Sequence, residues 1–298
     1  MRKPKVLLVP DSPNWAFDNR CNALIKHLSD WFFFEKVYWK EMPDIDYSIF
    51  DLAYYAGFYM VGSSRDKARD FFKKEQIVTS IPGLISWGAE QAIPFLNKAI
   101  AFSVLNIKLM KEFYVKTRSK CFFIPNGIDT ELFKPIPRPE NDVFTIGWVG
   151  NQEHKGKRLD ELLSVVHNLN GVKLLVQRKD HFIPYSEMPK FYNQLDTYCC
   201  VSISEGSNNP LSEAMACGLP IISTSVGIAN EIMPSGTGFF VRQDLGDLSE
   251  KIIAMRDLAP EQRKMMGEIA RQRMLASWRW AYMAGRYKDM FEYALSKQ

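Results

Sequence analysis

The chain has 298 residues, 46% of them apolar and 24% charged, which is enough for two ordinary α/β domains with cores of their own. A formal charge of +4 suits anionic small molecules or a membrane surface and excludes the strongly basic signature of a nucleic-acid binder. Five cysteines, two of them adjacent (Cys199, Cys200) and none in C-x-x-C spacing, argue against a disulfide framework or a zinc site and for a reducing cytoplasm.

The N-terminal half opens on a buried-strand run, Val6 to Val9, closed by Pro10. That run is too short for a secretory leader, so none is expected, and no run of about 18 apolar residues predicts a membrane span. A helix follows over Asn22 to Leu28, and further strands are predicted at 32–39, 51–58, 76–81, 99–104 and 121–125. Residues Pro125 to Asp142, with prolines at 125, 135, 137 and 139, read as a crossing between domains. The pattern then restarts with strands at 144–150 and 172–177 enclosing a helix at 158–169. A short helix (188–195), a strand (197–204) and a strand after Pro220 follow, then three helices, 248–256, 260–275 and 280–296. Alternating strands and helices predict two parallel-sheet, Rossmann-like halves: residues 1–135, joined by 281–298, and residues 136–280. Ligands of such sheets bind beyond the carboxyl ends of the strands, and two facing sheets would offer the cleft between them.

The stretch SEGSNNPLSEAMACGLP, Ser204 to Pro220, concentrates the chemistry. Asn209 is expected to cap a helix with Pro210 at its first position. Gly218 suits the residue after the helix end. A helix N-terminus carries free N–H groups and about half a positive charge, so it attracts phosphate. Glu205 and Glu213 flank it eight positions apart. They would take diols, one from a sugar and one from a ribose, while the helix end takes a diphosphate. Read alone, Glu213 is equally a first-turn carboxylate that complements the dipole, Glu205 a turn residue, and the basic run His154 to Arg158 a solvated patch.

EGSNNPLSEAMACGLPIISTSVG resembles the Glu–seven residues–Glu signature of retaining GT-B glycosyltransferases, glycosyltransferase family 4 in particular. PNGIDTELFKP, IGWVGNQEHKGKRLDELL, IPYSEMPKFYNQLDTYCCVSISEG and NEIMPSGTGFFV are similar to other segments of that family, in order, from Pro125 to Trp280. The resemblance implies a GT-B fold of two Rossmann-like domains facing each other across a cleft, with the C-terminal helix crossing back to the N-terminal domain. It implies a UDP- or GDP-sugar donor and no metal. Glu213 would bind the ribose, Glu205 the transferred sugar, and Gly206, Ser207, Asn208 and Leu211 would lie near the diphosphate. Gly150 and Asn151 begin the phosphate segment, where Lys155 would neutralise the leaving group, with Lys157 or Arg158 supplying a second charge in place of the family's arginine, here Asn151. Glu205 and Lys155 are thus the catalytic candidates.

The acceptor side departs from the family. Pro10 to Arg20 holds no glycine, and positions where a histidine is expected read Tyr54, Tyr55 or Ser86, Trp87. The expected acceptor is a hydroxyl of a glycan or lipid-linked sugar in surface polysaccharide synthesis, at the cytoplasmic membrane face. The aromatic run Trp31 to Phe34 is either strand core or a peripheral membrane contact. A non-catalytic nucleotide-sugar-binding module and a GT-B-type epimerase or phosphorylase are the alternatives.

Overall fold

In the computed structural model, which describes residues 2–83, 88–181 and 183–298, the chain forms two units: residues 1–127 with 280–298, and residues 128–279. Each is a parallel sheet with helices.

The first unit comprises β1 (Lys5–Val9), α1 (Ala16–Leu28), β2 (Phe33–Lys36), β3 (Leu52–Tyr55), β4 (Ile77–Ile81), α2 (Ala89–Leu96), β5 (Ala101–Val104), α3 (Ile107–Phe113) and β6 (Lys120–Phe123), and it is completed by the C-terminal helix Trp280–Leu295. The sheet order is β2-β1-β3-β4-β5-β6. β3, β4 and β5 are buried at every position, which is why the sequence shows continuous apolar runs there instead of alternation. The predicted strand over 32–39 is shorter than its aromatic content suggests, because Trp39–Glu41 turns into a 3-10 helix. Phe32 of that run is core, edge-on to Phe291 of the C-terminal helix at 5.6 Å, whereas Trp31 and Phe33 are exposed. Tyr54 and Tyr55 are buried as well. The Tyr54 hydroxyl accepts from Arg20 at 3.1 Å, and the Tyr55 hydroxyl donates to Asp66 at 2.9 Å. Ser86 and Trp87 lie outside the described residues.

The second unit comprises β7 (Phe144–Gly150), α4 (Leu159–His167), β8 (Val172–Arg178), α5 (Met188–Tyr192), β9 (Thr197–Cys200), α6 (Asn209–Ala216), β10 (Ile221–Thr224), α7 (Ala229–Ile232), β11 (Gly238–Val241), α8 (Leu245–Asp257) and α9 (Pro260–Ser277); the C-terminal helix of the first unit is then α10. Its order is β11-β10-β9-β7-β8. The chain runs from β7 outward to β8 and returns to the other side of β7 with β9, so the strand order reverses between β7 and β9. The crevice at such a reversal, beyond the carboxyl ends of the strands, is where parallel sheets bind ligands. The chain enters and leaves this unit side by side, Ile128 N–H donating to the Trp278 carbonyl at 2.9 Å. α6 and α9 pack so closely that a Cβ on Gly267 would lie 1.8 Å from the Gly218 carbonyl oxygen. Among the described residues no helix is long and apolar enough to cross a membrane.

Candidate functional site

Two loops converge at the switch point of the second sheet. One follows β7 (residues 151–158) and the other follows β9 (residues 201–208). They are tied by a backbone bond from Ile203 N–H to the Gly156 carbonyl, 2.9 Å. β9 ends four residues before the predicted boundary, because the Ser202 carbonyl accepts from the buried Thr224 hydroxyl (2.6 Å) instead of from a neighbouring strand. The freed chain turns over the strand ends and delivers Glu205.

Glu205 sits with its side chain only 7% exposed, and Oε1 accepts from Lys157 Nζ at 2.5 Å and from the Ser202 hydroxyl at 2.7 Å. One oxygen is thus fixed by a cation and a hydroxyl. Lys157 is therefore the partner of Glu205. Arg158, the other candidate second charge, turns away: it occupies the left-handed region at φ 54° and its guanidinium grips Glu161 in the first turn of α4, Nε to Oε1 at 2.8 Å. That bond, above all, raises the Arg158 pKa. Lys155 lies on the 3-10 turn Lys155–Lys157, is exposed, and makes no ion pair among the described residues. Gly150 is the last residue of β7, with Trp148 against the face where a Cβ would stand. The Asn151 side chain accepts from Glu153 N–H at 3.1 Å and so shapes its own loop.

The helix begins one residue earlier than expected: α6 starts at Asn209, and Asn208 is the residue before it. Asn208 does not cap it with its side chain. The amide Nδ2 donates to Cys200 Sγ at 2.9 Å, which holds the backbone at φ 47° in the left-handed region and aims the 206–208 segment across the helix start. Gly206, Ser207, Asn208 and Leu211 are all buried. The far end of α6 closes as expected. Gly218 takes φ 78°, its N–H bonds to Met215 and that of Leu219 to Ala214, which satisfies the last carbonyls.

Glu213 lies inside this helix, 7% exposed, and its Oε2 accepts from the Tyr192 hydroxyl at 2.6 Å. Burial pushes its carboxyl up to about 7, against the opposing pull of that hydrogen bond. It is far from the ordinary solvated first-turn carboxylate.

Sequence reasoning did not single out Ser202, Tyr192 or Gly227. Ser202 precedes Glu205 by three residues, so its local hydrogen bond was within reach of pattern reading. Tyr192 is 21 residues from Glu213 and nothing in the spacing announces their contact. Gly227, after β10, has φ 58°, and a Cβ there would lie 2.7 Å from Glu205 Cβ and 2.8 Å from the Gly206 carbonyl oxygen. Gly227→Ala is expected to cost about 1–3 kcal/mol of stability and to displace the Glu205 loop. Thermal unfolding and titration with UDP check this; a variant unchanged in both would contradict the close approach.

Residues 132–257 match the family model described as Glycosyl transferases group 1. This segment is similar to the group 1 glycosyltransferases. A GDP-mannose-dependent monoacylated alpha-(1-6)-phosphatidylinositol monomannoside mannosyltransferase of Corynebacterium glutamicum is 35% identical over 182 residues, which cover 57% of this chain and 45% of that protein. An MMP alpha-(1->4)-mannosyltransferase of Mycolicibacterium hassiacum is 26% identical over 200 residues, 58% of this chain and 48% of its own length. The matched region thus spans under half the length of these curated relatives. Among solved structures, sucrose-phosphate synthase from Thermosynechococcus elongatus superposes with a TM-score of 0.76 at 14% identity, covering 99% of this chain and 100% of that one. HepE from Anabaena, in complex with UDP and glucose, also gives 0.76 at 14% identity, with 97% and 99% covered. The chain shares the α/β GT-B fold of these structures.

Proposed function

We propose that the protein transfers a sugar from a UDP- or GDP-linked donor to a hydroxyl acceptor, with retention at the anomeric carbon. The observation that supports this most is the placement of Glu205 and Glu213 on either side of the N-terminus of α6, at the switch point of the donor-side sheet. In this reading the 206–208 amides and the positive end of α6 receive the diphosphate. Glu213, ionised, accepts from the ribose hydroxyls, and Glu205 receives hydroxyls of the transferred sugar on the oxygen that Lys157 and Ser202 leave open. Lys155, without a carboxylate among the described residues, meets the negative charge that grows on the nucleoside diphosphate as the glycosidic bond breaks. That charge compensation by lysine and amides is the basis for proposing transfer without a metal ion. UDP in the HepE structure and GDP-mannose in the name of the mannosyltransferase support a nucleotide donor without choosing the base.

The acceptor is proposed to be a glycan or lipid-linked hydroxyl, met at the cytoplasmic membrane face, where exposed Trp31 and Phe33 are available for contact. Calorimetric titration with UDP, GDP, UDP-glucose and GDP-mannose, followed by NMR of the product's anomeric configuration, tests the reading. Binding of one nucleotide series and an axial donor giving an axial product are expected. No binding of any of the four, or an inverted product, overturns it.

A further inference from the structure

We infer that the second unit carries another ligand site, on the edge of its sheet opposite the donor loops, built for a phosphorylated sugar. A cavity of about 350 Å³ opens there, a volume in the range of small-ligand pockets. It is lined by Phe144, the first residue of β7, by Asp196 just before β9, by Pro220 just before β10, and by the first turns of α9. These are the amino ends of the strands. The candidate donor loops follow their carboxyl ends, and the seven residues of β7 separate the two edges by about 20 Å. Nothing in the donor reading uses this edge.

The charges in the cavity are unbalanced. Arg138, Arg256, Arg263 and Lys264 face two carboxylates, Glu140 and Asp196. Asp196 is fully engaged: Oδ1 accepts from Arg138 at 2.8 Å, and Oδ2 from Asn141 and from Thr145 N–H at 2.9 and 2.8 Å. Arg256 pairs with Asp257. Arg263 and Lys264 have no carboxylate among the described residues. Arg263 lies over the Phe144 ring at 5.4 Å and commits one guanidinium nitrogen to the carbonyls of Arg256 and Leu258. The rest of its fork and the Lys264 ammonium are open to an anion, at the positive end of an 18-residue helix. A guanidinium fork, an ammonium and a helix start favour a phosphate group. Glu140 is exposed and has no cation among the described residues, so it serves as an acceptor for hydroxyls near that phosphate. Pro135, Pro139 and Pro260 add rigid apolar surface against which the C–H side of a polyol can rest. One ligand class answers all three features: a polyol with a phosphate.

The test is calorimetric titration of the full chain with glucose 6-phosphate, inorganic phosphate and glucose, each repeated with UDP saturating. Glucose 6-phosphate is expected to bind more tightly than phosphate, glucose not at all, and UDP is expected to leave the affinity unchanged. Arg263→Gln with Lys264→Gln is expected to weaken glucose 6-phosphate by about tenfold or more. Lys264→Gln alone, at an exposed position that holds no structural bond, is expected to weaken it severalfold. Glu140→Gln is expected to weaken glucose 6-phosphate and leave inorganic phosphate unchanged. Absence of glucose 6-phosphate binding, binding insensitive to Lys264→Gln, or displacement by UDP overturns the proposal. None of these outcomes bears on donor binding, which the UDP titration reads separately.

Discussion

Replacing Glu205 by alanine is expected to lower sugar transfer by about a hundredfold or more, the scale of losing one well-placed polar group from a transition-state site. The cause lies in how its carboxylate is held. Lys157 and Ser202 fix Oε1 while Gly227 admits the loop from behind, so the side chain has one orientation and little freedom to lose when a sugar hydroxyl arrives. Removal also leaves the Lys157 ammonium, 20% exposed, without its counter-charge, and a stability loss of about 1–3 kcal/mol is expected. Lys157→Met should lower transfer less, because Glu205 remains and keeps Ser202. A double-mutant cycle of Glu205→Gln and Lys157→Met separates the pair energy from the catalytic loss. Initial rates together with urea unfolding decide the matter. Transfer unchanged in Glu205→Ala would remove this residue from the site, whatever the stability change.

Glu213 makes a different forecast, because its two expected effects have opposite signs. Its carboxyl titrates near 4.5 in an unfolded chain and is pushed up to about 7 in the fold. The folded state therefore holds this proton more tightly. The stability so gained is complete below 4.5 and is lost as pH rises to about 7, a swing on the order of 3 kcal/mol. Glu213→Gln keeps an oxygen for the Tyr192 hydroxyl and has nothing to ionise. The variant is expected to be more stable than the parent at about pH 8, with a flatter stability–pH profile. It is also expected to bind the donor nucleotide about tenfold more weakly, since the ionised carboxylate is the stronger acceptor for ribose hydroxyls. In the parent, nucleotide affinity should rise as pH passes through about 7 and then level. A variant no weaker in binding would remove Glu213 from the nucleotide site, and one no more stable at about pH 8 would contradict its upward shift.

The alternation of strand and helix was legible because both sheets are parallel and their central strands are buried on both faces, so those strands read as short apolar runs between turn residues. Gly218 could be placed from local chemistry because only a residue tolerant of positive φ ends α6 in that way. The start of α6 differs by one position from the expected cap. The Asn208 side chain serves Cys200, a tertiary contact eight residues back, instead of the helix it precedes. The second charge of the phosphate segment was open between Lys157 and Arg158. The fold pairs Lys157 with Glu205 and Arg158 with Glu161, three residues on, and spacing alone did not announce the first of these contacts. Tyr192 was invisible because α5 and α6 meet only through the fold. The acceptor side stays least readable: Tyr54 and Tyr55, at positions where the family resemblance points to a histidine, are core residues that bond to Arg20 and Asp66.

The most direct measurement is a crystal structure of the chain with UDP-glucose or GDP-mannose bound. The account predicts the diphosphate within hydrogen-bond distance of the amides of residues 206–208, the ribose hydroxyls on Glu213 and the sugar on Glu205. A donor bound elsewhere, or one whose phosphates leave the start of α6 untouched, would contradict it.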